Sequence, residues 1–336
     1  MVISSTQTDN AGIIRRIGIE KICVYCTCAL GLAGSYLVFW PATRNHDPLA
    51  AICFVPACGM VQAAWYAGIL LLLSAISAVI TAPFRFSSTL AAALVAIGGI
   101  SLRSPALEGF LWAWPDRPQK AFALLLLDVV LVGFMAAGAW GVIWLVRRSA
   151  GRAFANLGIR GQMDKAEITD GGGDSLAKSL ADSLLNRSVD RGGGGETKDQ
   201  AALKLARSIC FVLVAFPLTI ICILLLLGSA DRGQVIFALF AGSLAGSYLA
   251  HELFPGGIAR LAWIGPLIVG GLFYTLAWTG NFDGTNVAWS NVPLYARALP
   301  IDWVSFGSGG AMAGVWFSER SFDLRKIESN NFFKET

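Results

Sequence analysis

The chain has 336 residues, of which 55% are hydrophobic and only 14% charged, and its net charge is +4. Soluble domains average roughly 25% charged residues, so this composition excludes an ordinary globular protein. It also excludes a nucleic-acid partner, because no basic stretch is interleaved with base-stacking aromatics in a soluble segment.

The charges fall in gaps between long apolar runs. A hydrocarbon core about 30 Å thick needs about 20 apolar residues in a helix. Backbone polar groups must be paired inside lipid, so each run is expected to be helical. Runs such as Ala121 to Val146 do not alternate as barrel strands would. The pattern predicts an all-α integral membrane protein, a polytopic helical bundle of about eight transmembrane helices. The lipid bilayer is its first partner, and the expected location is the cell membrane, plasma or inner.

In chain order, residues 1–21 are polar and carry Arg15 and Arg16. They lead through Lys21 into a full-length span, the pattern of a signal anchor. The first half, residues 22–146, holds spans at Ile22–Trp40, Met60–Pro83, Ser88–Leu102 and Ala121–Val146. The third is short and rich in Ala and Gly, which suits a deeply buried or re-entrant segment. Residues 147–208 form a Gly-rich loop. The second half, residues 209–317, holds spans at Ile209–Leu227, Gln234–Phe254, Ala259–Thr279 and Ile301–Phe317, and a tail follows over 318–336.

Orientation follows from Lys and Arg. One side holds Arg44, Arg103, Arg117, Lys120, Arg232 and Arg297. The other side, with both termini and the middle loop, holds the rest of the 26 basic residues. Both termini are therefore expected to be cytoplasmic.

Within the middle loop, Asp174 or Ser175 can cap a short helix. Leu176, Leu180 and Leu184 then share one face. This helix suits the membrane surface or a soluble partner, with a solubilised linker as the plainer reading. The run GGGGETK lacks the spacing of a phosphate loop, so no nucleotide cofactor is expected.

Asp128 is the foremost candidate for chemistry. It sits in LLLLDVVLV, roughly 10–12 Å from the outer end of the fourth span. A carboxylate at that depth is costly, so it is expected to face a cavity, a partner or a proton. Gly133, Ala137 and Gly141 form a small-residue ridge on the opposite side of that helix, which suits helix packing. His251 and Glu252 end the sixth span and are candidates for substrate or proton binding. Adjacent residues point about 100° apart on a helix, so they form no chelate alone. Gly307, Gly310 and Gly314 share a face of the eighth span, a second packing surface within the protein or between subunits. Cys23 and Cys26 share a face without further ligands, so no metal site is expected. Cys53 and Cys58 lie in the first outer loop, where packing is the plainer role than a disulfide.

Two functions compete. Asp128 and the glycine-rich spans favour a transporter- or permease-like protein. The tethered loop helix and packing faces favour a non-transporting subunit or scaffold, assembled as a homo-oligomer or with a membrane-complex partner. An intramembrane enzyme would need two convergent catalytic groups, and none stands at convincing spacing.

Overall fold

The computed structural model describes residues 4–39, 60–81, 83–104, 107–112, 118–156, 198–229, 231–255, 257–280 and 292–335. Among them every regular element is helical. We number α1 (Ser4–Gly34, continued by the π-helical turn Ser35–Phe39), α2 (Met60–Thr81), α3 (Phe86–Arg103) and α4 (Leu107–Trp112). Then come α5 (Pro118–Asn156), α6 (Lys198–Leu226), α7 (Arg232–Leu253) and α8 (Ile264–Thr279). The last helix, α9, opens with Pro300–Asp302, widens into a π turn at Trp303–Ser308 and continues as Gly309–Glu335.

Among the described residues six helices are long and apolar enough to cross a membrane: α1, α2, α3, α5, α6 and α7. The apolar α8 is shorter, at 16 residues. The bundle turns large apolar side chains outward: Leu225 is 79% exposed and Phe134 is 72% exposed. An apolar perimeter of this kind is at home in lipid and not in water.

Two helices form the centre. α9 is buried without a break from Pro300 to Trp316. α3 is buried from Ser87 to Ser101 except at Val95. The two run antiparallel: Phe306 lies over Gly98, Val95 over Gly309, and Ser87 meets Glu319. The third span is thus a continuous helix of 18 residues, about 27 Å long, and not a re-entrant segment. Its low apolarity has a packing cause. A helix walled in by other helices gains more from Ala, Gly and Ser, which let backbones approach, than from bulk.

α7 runs parallel to α9. Phe240 lies against Gly310 and Leu244 against Gly314. α6 returns antiparallel along α7, with Ile223 on Gly242 and Thr219 on Gly246. α1 runs parallel to α3, where Ser35 Oγ donates to the Ala96 carbonyl at 2.6 Å. α5 packs between α2 and α8.

Some expectations shift. α5 continues past Val146 to Asn156, and α6 begins at Lys198, so helix enters both ends of the expected 147–208 loop. The segment with Leu176, Leu180 and Leu184 lies outside the described residues, as do Cys53 and Cys58. The two glycine surfaces differ sharply. A Cβ on Gly310 or Gly314 would collide with the carbonyl oxygens of Phe240 and Leu244. A Cβ on Gly307 would meet Pro266 Cβ at 2.9 Å. The ridge on α5 is open instead: Ala137 is exposed, Gly141 has nothing within 4 Å, and Gly133 would meet only Leu267 Cδ1 at 3.5 Å. The inward face of α5 is a different stripe, described below.

This contrast is testable. Gly314→Ala is expected to destabilise the bundle by about 1–3 kcal/mol, because the obstructing atoms are backbone and cannot yield. Gly141→Ala is expected to be neutral or stabilising by up to about 1 kcal/mol, from helix propensity alone. Thermal unfolding of both variants in one detergent measures the difference.

Candidate functional site

The polar groups of this apolar bundle gather at the two ends of the α7–α9 pair. The first cluster begins where α9 starts. Pro300 stands in the first turn, where a missing N–H costs nothing. Asp302, in the same turn, accepts the Leu299 N–H through Oδ2 at 2.7 Å. Arg232 opens α7 and meets the same carboxylate as a fork: Nη1 donates to Oδ2 at 2.6 Å and Nη2 to Oδ1 at 2.7 Å. Nη2 also donates to the Ser101 carbonyl at 2.9 Å, and Ser101 Oγ donates to Asp302 Oδ1.

Three helix ends, those of α3, α7 and α9, are thereby tied to one carboxylate. Asp302 is fully buried and the Arg232 side chain is 19% exposed. Removing ions from water costs several kcal/mol each, so such a pair persists only when its geometry and remaining hydrogen bonds are good. Both carboxylate oxygens here take two donors.

The π turn follows at once. Extra-wide turns of this kind recur at functional positions in helices. Ser308 closes the turn and its Oγ donates to the Trp263 carbonyl at 2.6 Å. Trp303 lies over Gly270 of α8 and edge-on to Phe273, with ring centroids 5.8 Å apart. Its indole N–H is buried and makes no hydrogen bond.

Asp128 lies close to this level. Its stripe on α5 comprises Ala121, Leu125, Asp128, Val132, Met135, Ala139 and Ile143, all buried. The outward side carries Leu127, Val130 and Phe134. On α8, Gly270 touches Trp303 and its neighbour Gly271 touches Leu126. Asp128 therefore stands level with the head of the π turn, and α5 packs on the Pro300–Asp302 turn itself.

The second cluster lies about 22 Å further along α9. His251 Nδ1 is 2.8 Å from Ser318 Oγ. Ser318 Oγ donates to Glu252 Oε1 at 3.1 Å. Arg325 pairs with Glu252 Oε2 at 2.5 Å. Phe211 of α6 and Phe322 of α9 flank the imidazole edge-on. The fold thus brings His251 and Glu252 together through a third residue and leaves Asp128 apart from them.

Around the same end, Arg85 pairs with Asp323 and lies 3.6 Å from Glu319. Ser87 donates to Glu319 at 2.6 Å. Trp316 donates its indole N–H to Glu20 at 3.0 Å, and Arg320 donates to the Ile17 carbonyl at 2.7 Å, so α1 is tied to α9. Burial pushes the Arg320 pKa below its ordinary value. Glu20 opposes this, Arg85 adds to it, and Tyr25 and Asp323 oppose it.

Sequence reasoning missed Asp302, Ser101, Arg232 as an ion-pair partner, and Ser318. The available signal was the Pro–Ile–Asp helix start, which marks Asp302 as a first-turn acid. Among the described residues no group of three His, Cys, Asp or Glu is placed to hold a metal ion. Comparison with family models, with curated proteins and with solved structures gave no match. The site must therefore be read from its own chemistry.

Asp302→Ala strands the Arg232 guanidinium and is expected to cost about 3–5 kcal/mol. Ser101→Ala removes one hydrogen bond and is expected to cost about 1 kcal/mol. The double variant Arg232→Met with Asp302→Leu is expected to regain most of the loss. Thermal unfolding in detergent orders the three.

Proposed function

We propose that this is a transporter-like integral membrane protein with eight spans, both termini cytoplasmic, in the cell membrane. The observation that carries the reading is Asp128. It is a carboxylate with no exposed surface, on the inward stripe of α5, level with the π-helical head of the central helix. Intramembrane ionisable residues are functional candidates by default. Wide π turns within helices recur at functional sites. Asp128 is the group that takes up the proton or cation, and the α3–α9 pair is the fixed wall beside it.

Charge supports the orientation. The first and last helices meet at one end of the bundle, where Arg320 bonds Ile17. Arg85, Arg147, Arg148 and Arg325 gather at that same end. Short segments rich in Arg and Lys stay on the cytoplasmic side.

The test is proton flux into proteoliposomes loaded with a pH-sensitive dye, driven by a potassium diffusion potential. The unmodified protein is expected to exceed empty vesicles. Asp128→Asn is expected to abolish that excess while its detergent melting curve stays unchanged. Flux equal to empty vesicles, or equal in both proteins, would sink the reading and leave a non-transporting subunit.

A further inference from the structure

We infer that Ser318 is a proton-relay residue linking buried His251 to Glu252 at the α9 tail end of the bundle. This rests on the transporter-like reading above and names the route by which a proton enters or leaves.

The hydrogen-bond count decides the roles. A serine hydroxyl has one proton to donate. Glu252 is ion-paired with Arg325, and a carboxylate can only accept, so the Ser318 proton points to Glu252 Oε1. His251 Nδ1 must then be the donor to Ser318 Oγ at 2.8 Å. The chain is Nδ1–H to Oγ–H to Oε1. An activated serine nucleophile needs the opposite polarity, a bare imidazole nitrogen accepting from the hydroxyl. The arrangement is therefore a wire and not a hydrolytic pair.

The ends of the wire differ in environment. His251 is 6% exposed, while the Arg325 side chain beyond Glu252 is 55% exposed. One turn and two turns inward on the same side of α7 stand Ser247 and Ser243, both buried. Phe211 on α6 and Phe322 on α9 wall the imidazole with apolar edges, and the charged groups joined to it through Ser318 are Glu252 and its partner Arg325.

The step balances. Imidazolium at His251 gives its Nδ1 proton to Ser318 Oγ, and Ser318 gives its hydroxyl proton to Glu252 Oε1. This leaves the imidazole protonated on Nε2, and the Glu252 acid releases one proton to water. The cycle closes when the Ser318 hydroxyl turns back to Glu252 and tautomer exchange returns His251 to the resting Nδ1–H form. Reversal of the same moves carries a proton inward.

The experiment uses the full chain in the dye-loaded proteoliposomes described above. Ser318→Ala is expected to lower proton flux by at least about tenfold, and Ser318→Thr, which restores the hydroxyl, is expected to recover it. A melting curve in detergent checks that both variants fold. A second readout needs no change at Ser318. The chain has two histidines, so His46→Gln leaves a single imidazole signal in nitrogen-15 NMR. That signal is expected to show the proton on Nδ1 in the neutral form.

Flux in Ser318→Ala equal to the unmodified protein, or a resting neutral His251 protonated on Nε2 alone, would overturn the relay. If Asp128→Asn still abolishes flux in that case, the transporter-like reading stands without it. No proton flux in the unmodified protein overturns both.

Discussion

The register between α7 and α9 is the constraint on which the rest of the bundle depends. Arg232 meets Asp302 at one end, and Glu252 meets Arg325 at the other. Those ends are 20 residues apart on α7, about 30 Å along a helix. Between them Phe240 and Leu244 seat on Gly310 and Gly314. Two ion pairs and two glycines thus hold one alignment over the whole contact. A slide by one turn would strand the part-buried guanidinium of Arg232 and drive Phe306 or Ser318 into the backbone that a glycine now faces.

The neighbouring contacts inherit this alignment. α6 seats on Gly242 and Gly246, the other side of α7. α3 is fixed to α9 by Ser101 at one end and Ser87 at the other. α1 follows α3 through Ser35 and is tied to α9 through Glu20 and Ile17. In lipid, apolar burial gives helices little reason to prefer one neighbour, because lipid tails are as apolar as Leu. Close backbone approach and satisfied polar groups do the selecting, and this is where both kinds of contact concentrate.

The polar groups divide by environment. At the Arg232 end, one carboxylate is saturated with donors, so the pair is suited to holding. At the His251 end, each group makes a directional bond to the next, with bulk solvent near one terminus. Asp128 stands apart from both, on a stripe that is otherwise apolar. A bundle that needed only stability would be better served by apolar residues at these places.

The sequence by itself determined the class of object. Apolar runs of membrane-crossing length survive any tertiary arrangement, because lipid leaves the backbone no alternative to helix. It also determined the face on which Asp128 lies, since a 3.6-residue period sorts Leu125 and Val132 from Leu127 and Phe134. The tertiary structure alone decided which glycines touch backbone. Gly314 and Gly141 sit in equally apolar runs, yet one faces Leu244 and the other faces open space. It alone decided the pairings as well. Arg232 and Asp302 are 70 positions apart, and Ser318 reaches His251 across 67. Neither separation has a local period, because such contacts are set by how helices stack and not by how any one of them is coiled.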